Sequence, residues 1–93
     1  MENRKIYEKA LEKWGSSSQI GILIEECAEL QHASCKMLRG NGDIEKFTEE
    51  LADVEIMLEQ MMVYLSVENL RKVQAWKEYK IERLSERLSE PIE

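Results

Sequence analysis

Between Gln19 and Leu65 the chain carries two runs of helically spaced apolar residues joined by a very short turn sequence, and few folds accommodate that. In the first run Ile20, Leu23, Cys27, Leu30, Ser34 and Met37 advance in alternating steps of three and four. Phe47, Leu51, Val54, Leu58, Met61 and Leu65 do the same in the second. Both read as heptad seams, with the small Ser34 as the weak position. Arg39-Gly40-Asn41-Gly42-Asp43 lies between them and is too short for anything but an antiparallel return. The spacing therefore predicts an antiparallel helical hairpin as the centre of an all-α, four-helix bundle-like domain.

Each run contains an acidic pair of the same form. Glu26 and Glu29 lie three apart in the first, and Glu50 and Asp53 lie three apart in the second, preceded by Glu25 and Glu49. Residues three apart on a helix are neighbours on one face. In heptad terms both pairs flank the seam on the same side, so an antiparallel fold should bring all four carboxylates to one edge of the hairpin. Folding about the middle of the loop leaves the pairs offset by about 6 Å, roughly one turn. Glutamate side chains and a small helix tilt can span that. Four adjacent carboxylates repel one another, and their pKa values must rise unless a counter-charge is supplied. A hard divalent cation, which takes oxygen ligands, is the usual counter-charge. The other reading is a solvated acidic flank.

At these residues the chain resembles the MazG-like all-α nucleoside triphosphate pyrophosphohydrolases. That family pairs Glu-x-x-Glu on one helix with Glu-x-x-Asp on the next. Glu26 and Glu29 match the first half, and Glu50 and Asp53 match the second. The flanking stretches Ile24-Glu25-Glu26-Cys27-Ala28-Glu29-Leu30 and Glu49-Glu50-Leu51-Ala52-Asp53-Val54 fit as well. The resemblance covers Gln19 to Leu65. It implies one all-α domain over residues 1–93, with magnesium, or manganese in its place, held by Glu26, Glu29, Glu50 and Asp53. It implies hydrolysis of a nucleoside triphosphate, a dNTP or a non-canonical NTP, to the monophosphate and pyrophosphate. Water would attack the α-phosphorus, with Glu25 and Glu26 among the candidate bases. The Lys and Asn signatures that many relatives carry near the C-terminus have no clean counterpart here, so the nucleotide is not named.

The rest of the chain frames this hairpin. Ninety-three residues make one small domain whose core is marginal for a lone monomer. The net charge of −6 argues against a general nucleic-acid or anionic-membrane binder. No run has the length of a transmembrane helix, and no apolar signal segment follows Met1-Glu2-Asn3-Arg4-Lys5. Cys27 and Cys35 lie about 12 Å apart along one predicted helix and cannot pair with each other. Two free thiols point to a cytoplasmic, reducing setting.

A first helix is expected from about Asn3 to Trp14, with Ile6, Ala10 and Trp14 on one face, Tyr7 and Leu11 widening it, and Gly15 ending it. Ser16 and Gln19 form a capping-box pattern. Trp14 could stack on a nucleobase and Gln19 hydrogen-bond to it, or the two could cap the core and the helix. The second helix should run to about Leu38, and Asp43 should cap a third from about Ile44 to Leu65. Lys46 can meet substrate phosphates or pair with Glu50 one turn on. The second half of this helix is apolar nearly all round, with Ile56 and Val63 opposite the seam. Burying it points to self-association as a homodimer or homotetramer. Ser66 should cap a fourth helix, about Val67 to Leu88, with Val67, Leu70, Val73, Ile81, Leu84 and Leu88 as its stripe and Trp76 and Tyr79 beside it. Lys77, Lys80 and Arg83 are candidates to neutralise a triphosphate, or they pair with Glu78, Glu82 and Glu86. Ser89 to Glu93 should fray. Two rival functions remain. Glu29-Leu30-Gln31-His32 is a Glu-x-x-His step of the kind used in di-iron carboxylate bundles, which a homodimer would duplicate. A non-enzymatic helical oligomerisation module is the other.

Overall fold

The computed structural model describes residues 3–89 and contains four helices, with no strand among them. These are α1 (Arg4–Trp14), α2 (Ser16–Leu38), α3 (Ile44–Tyr64) and α4 (Val67–Ser89). The all-α reading holds, and the helix ends fall close to those expected. Ser89 closes α4, and the rest of the stretch expected to fray, residues 90–93, lies outside the described residues.

The ends form where local chemistry requires them. Gly15 adopts φ +86°, so α1 stops there and its N–H bonds back to Leu11 O at 2.9 Å. After α2, Gly40 takes φ +81°, with Gly40 N–H bonded to Met37 O and Asn41 N–H to Lys36 O. This paired pattern is a Schellman close. The side chain of Asp43 accepts from Glu45 N at 2.9 Å and caps α3. Ser66 Oγ accepts from Asn69 N at 3.2 Å and caps α4. One expected cap does not form. Ser16 is the first residue of α2 rather than its cap, because Gly15 already occupies the cap position. Gln19 therefore turns into the interior instead of back to the helix start.

Helices α1, α2 and α3 pack on one another, and α2 against α3 is the main interface. Helix α4 touches this unit only weakly and does not complete a four-helix bundle; it has no buried residue, and Leu70 and Val73 near its start are half-buried. Its apolar stripe is accordingly exposed over Trp76, Tyr79, Ile81, Leu84 and Leu88.

The inward faces of the helices differ from the expected seams by about one residue. In α2 the residues that turn inward include Gln19, Leu23, Glu26, Leu30 and Ala33, and Cys27 is exposed. In α3 they include Phe47, Glu50, Val54, Met57 and Gln60, while Leu51 and Leu58 are 40 % and 45 % exposed. Helix α3 has two apolar stripes, and three helices cover only one of them. The stripe through Val54 and Met57 faces α1 and α2, and that through Leu51, Ile56 and Leu58 is left open. The rotation carries Glu50 into the seam of the hairpin and Glu26 and Asp53 to its margin, while Glu29 stays exposed. Helix α1 also turns. Tyr7 is its buried residue, with its OH donating to Glu59 Oε2, while Ile6 and Trp14 face outward. A tyrosine suits that position because its ring packs inward while its hydroxyl reaches a polar partner.

Candidate metal centre

One hydrogen bond across the hairpin marks the register of α2 against α3. Gln60 Nε2 donates to Gln19 Oε1, fixing those two residues opposite each other. Seven residues on from Gln19 is Glu26, and seven back from Gln60 is Asp53. Three further steps reach Glu29 and Glu50. Antiparallel helices advance in opposite directions at the same rise, so one register pairs Gln19 with Gln60, Glu26 with Asp53 and Glu29 with Glu50. The offset expected from folding about the loop centre is absent. One oxygen from each of Glu26, Glu29, Glu50 and Asp53 lies within 4.8 Å of the others.

Burial differs sharply across this quartet. Glu50 is 1 % exposed, the most deeply buried large side chain among the described residues. Its Oε1 accepts from Lys46 Nζ at 2.8 Å, the i,i+4 pair expected from spacing, and Lys46 also reaches Glu49 at 3.4 Å. Glu50 Oε2 has no partner, and neither does the buried Oε2 of Glu26. Burying an unpaired carboxylate oxygen is costly unless something compensates. The charges register that cost. Burial pushes the Glu26 carboxyl above its usual range, and the charges of Glu29, Asp53, Glu50 and Glu25 add to it. The neighbouring charge of Glu50 raises Glu29 most, followed by burial, with Lys46 pulling the other way. The hydrogen bond to Glu50, together with the charges of Glu49 and Glu50, holds the Lys46 ammonium well above the usual lysine range.

The donor set is four carboxylates with unshared oxygens converging on one point, which fits a hard, oxygen-seeking divalent cation such as Mg²⁺ or Mn²⁺. His32 is not among the four, although it lines the cleft that holds Glu29 and Glu50. Glu25 is exposed and outside the quartet, although its charge is felt by Glu26.

The remaining candidate residues are scattered. Trp14 is exposed at the end of α1, with Lys13 Nζ 5.5 Å from its ring centroid. Gln19 is buried against Gln60, and its Nε2 has no partner. Lys77, Lys80 and Arg83 lie exposed on α4, with Arg83 over the Tyr79 ring at 5.9 Å, and the clefts beside the carboxylates have no α4 residue in their walls. Sequence reasoning missed Gln60 as the partner of Gln19. The available signal was its position seven residues after Asp53, on the same helical face. It also missed Lys36, which lines a cleft of about 340 Å³ with Glu29, His32, Ala33, Lys46 and Glu50.

None of the described helices is long and apolar enough to cross a membrane. Comparison with known proteins found no matching family model, no matching curated protein and no matching solved structure.

Proposed function

We propose that this protein is a divalent-cation-dependent nucleoside triphosphate pyrophosphohydrolase, converting a dNTP or non-canonical NTP to its monophosphate and pyrophosphate. The observation that carries the reading is Glu50, buried to 1 % exposure with one oxygen unpaired and three further carboxylates converging on it. A solvated acidic flank would not bury one of its carboxylates in a helix interface. The sequence resemblance to MazG-like enzymes supplies the reaction class.

In this reading Glu26, Glu29, Glu50 and Asp53 hold the cation, magnesium or manganese. Such an ion neutralises phosphate charge and makes water a better nucleophile at neutral pH. Lys46, tied to Glu50 and Glu49, orients the Glu50 carboxylate. Glu25, next to Glu26 and outside the quartet, or another nearby carboxylate would accept the proton of the attacking water. The chain has no glycine-rich phosphate loop followed by Lys and Ser or Thr, so its grip on phosphates must come from cation and side chains.

Self-association as a homodimer or homotetramer belongs to the same proposal. Leu51, Ile56, Leu58 and the stripe of α4 are apolar surfaces that a single chain leaves in water.

A screen of canonical and damaged nucleoside triphosphates for pyrophosphate release tests the activity. With Mg²⁺ and the right substrate, monophosphate and pyrophosphate should appear in equal amounts, with no diphosphate. In ¹⁸O water the label should enter the monophosphate. Free phosphate as first product, or label in the pyrophosphate, contradicts the reading.

A further inference from the structure

The surface beside the quartet is not symmetrical. Toward Gln19 the seam closes over buried side chains. Toward the loop it opens. The cleft that contains Glu29 and Glu50 shares Ala33, Lys36 and Lys46 with a second cleft of about 220 Å³, which reaches Asn41 and Asp43. The two form one groove leading from the carboxylates to the loop between α2 and α3. Ala33 is its buried floor, and a methyl group there leaves the space open.

The groove walls are where the positive charge lies. Lys46 is committed to Glu50 and Glu49. Lys36 makes no ion pair among the described residues. It sits seven residues beyond Glu29, about 10 Å along α2 toward the loop. His32, between them in sequence, lines the same cleft.

We propose that Lys36 and His32 form the subsite for the pyrophosphate end of the substrate, so that a triphosphate lies with its β and γ phosphates toward the Gly40–Asp43 loop. This rests on the pyrophosphohydrolase reading and adds to it a direction and a phosphate-binding pair. Lysine is a point charge with three donors, suited to a phosphate whose oxygens are presented at varied angles. Histidine adds one donor when neutral and two when charged. Lys77, Lys80 and Arg83 on α4 stand apart from this groove within the chain.

The test is calorimetric titration of the full chain, first with Mn²⁺ alone, then with inorganic pyrophosphate at saturating Mn²⁺. Lys36→Gln with His32→Gln should weaken pyrophosphate binding by roughly 10- to 100-fold, the loss expected for charge-assisted hydrogen bonds. Affinity for Mn²⁺ alone should stay within about twofold, since neither residue belongs to the quartet. Lys77→Gln with Lys80→Gln should leave pyrophosphate affinity unchanged. If Lys36 serves only the negative end of α2, its variant will shift thermal stability and not pyrophosphate affinity, and the subsite is overturned. Loss of pyrophosphate binding in the α4 variant but not in the Lys36 variant overturns it too. If the wild type binds no Mn²⁺, the carboxylate reading falls first and this subsite with it.

Discussion

The seam between α2 and α3 buries polar side chains among its apolar ones, whereas the outer surfaces of α3 and α4 carry apolar side chains that no helix covers. Beside Ala33, Val54 and Met57 the seam buries two glutamines and the carboxylate of Glu50, with Glu26 and Asp53 half-buried and Glu29 exposed at its edge. Outside lie Leu51, Ile56, Leu58, Trp76, Ile81 and Leu84. An interior normally takes the apolar stripe because burying apolar area is the main driving force of folding. Here a single chain shelters charge and leaves apolar side chains in water. The two regions therefore lack opposite things. The four carboxylates carry more negative charge than Lys46 offsets, and the outer surfaces lack an apolar partner. A cation would complete the first and a second copy the second, which is why both proposals arise from one structure.

The sharpest way to break this contrast is at the seam. Asp53→Asn removes one ligand charge and keeps the shape. Turnover should fall on the order of 10³-fold, as when a principal transition-state charge stabiliser is lost. Helicity should be unchanged, and stability in EDTA equal or higher, because repulsion is relieved. Full activity with Mg²⁺ supplied would show that the quartet is not the site.

The outer surface gives the next largest effect. Ile56→Glu with Leu58→Glu should weaken self-association by roughly 10²-fold, about 2.7 kcal/mol. Sedimentation reads this directly. A wild type that sediments as a monomer at micromolar concentration removes the reason given for the exposed leucines.

The loop tests what keeps the seam in register. A Cβ on Gly42 would lie 2.8 Å from the Met37 backbone N and Cα, and 2.5 Å from its Sδ. Gly42→Ala must displace the loop, at a cost of about 1–3 kcal/mol for such overpacking. Thermal denaturation should show a Tm lower by several degrees, and Mn²⁺ affinity should fall with it. An unchanged Tm would mean that the loop does not hold the register.

The smallest effect concerns protons. Glu26 and Glu29 have raised pKa values in the folded state. The folded chain then binds protons more tightly than the unfolded one. In EDTA, stability is therefore lost as pH rises from the ordinary carboxylate range through the raised values, and is regained on acidification. Glu26→Gln should flatten that slope. Divalent-cation affinity should run the other way, weakening as pH falls through the same window. Matching slopes in wild type and Glu26→Gln would show that Glu26 does not carry the strain described.

Much of this architecture was readable from neighbouring residues alone. Gly15 and Gly40 end helices because a positive φ suits glycine, and Asp43 and Ser66 start them because their side chains accept a nearby N–H. The acidic spacing placed two carboxylates on one face of each helix for the same local reason. The inward orientation of those faces was not readable. Apolar periodicity in α3 supports a seam through Leu51 and Leu58 as well as one through Val54 and Met57, and α2 is similarly divided.

The sequence by itself determined four helices, an antiparallel hairpin and two acidic pairs brought near each other, because all of these follow from contacts within a few residues. Only the tertiary structure decided that the pairs lie directly opposed, with Glu50 in the seam. That choice depends on α1 docking Tyr7 beside Glu59 and on Gln19 meeting Gln60 across the hairpin. These contacts span 52 and 41 residues, and no local periodicity encodes them.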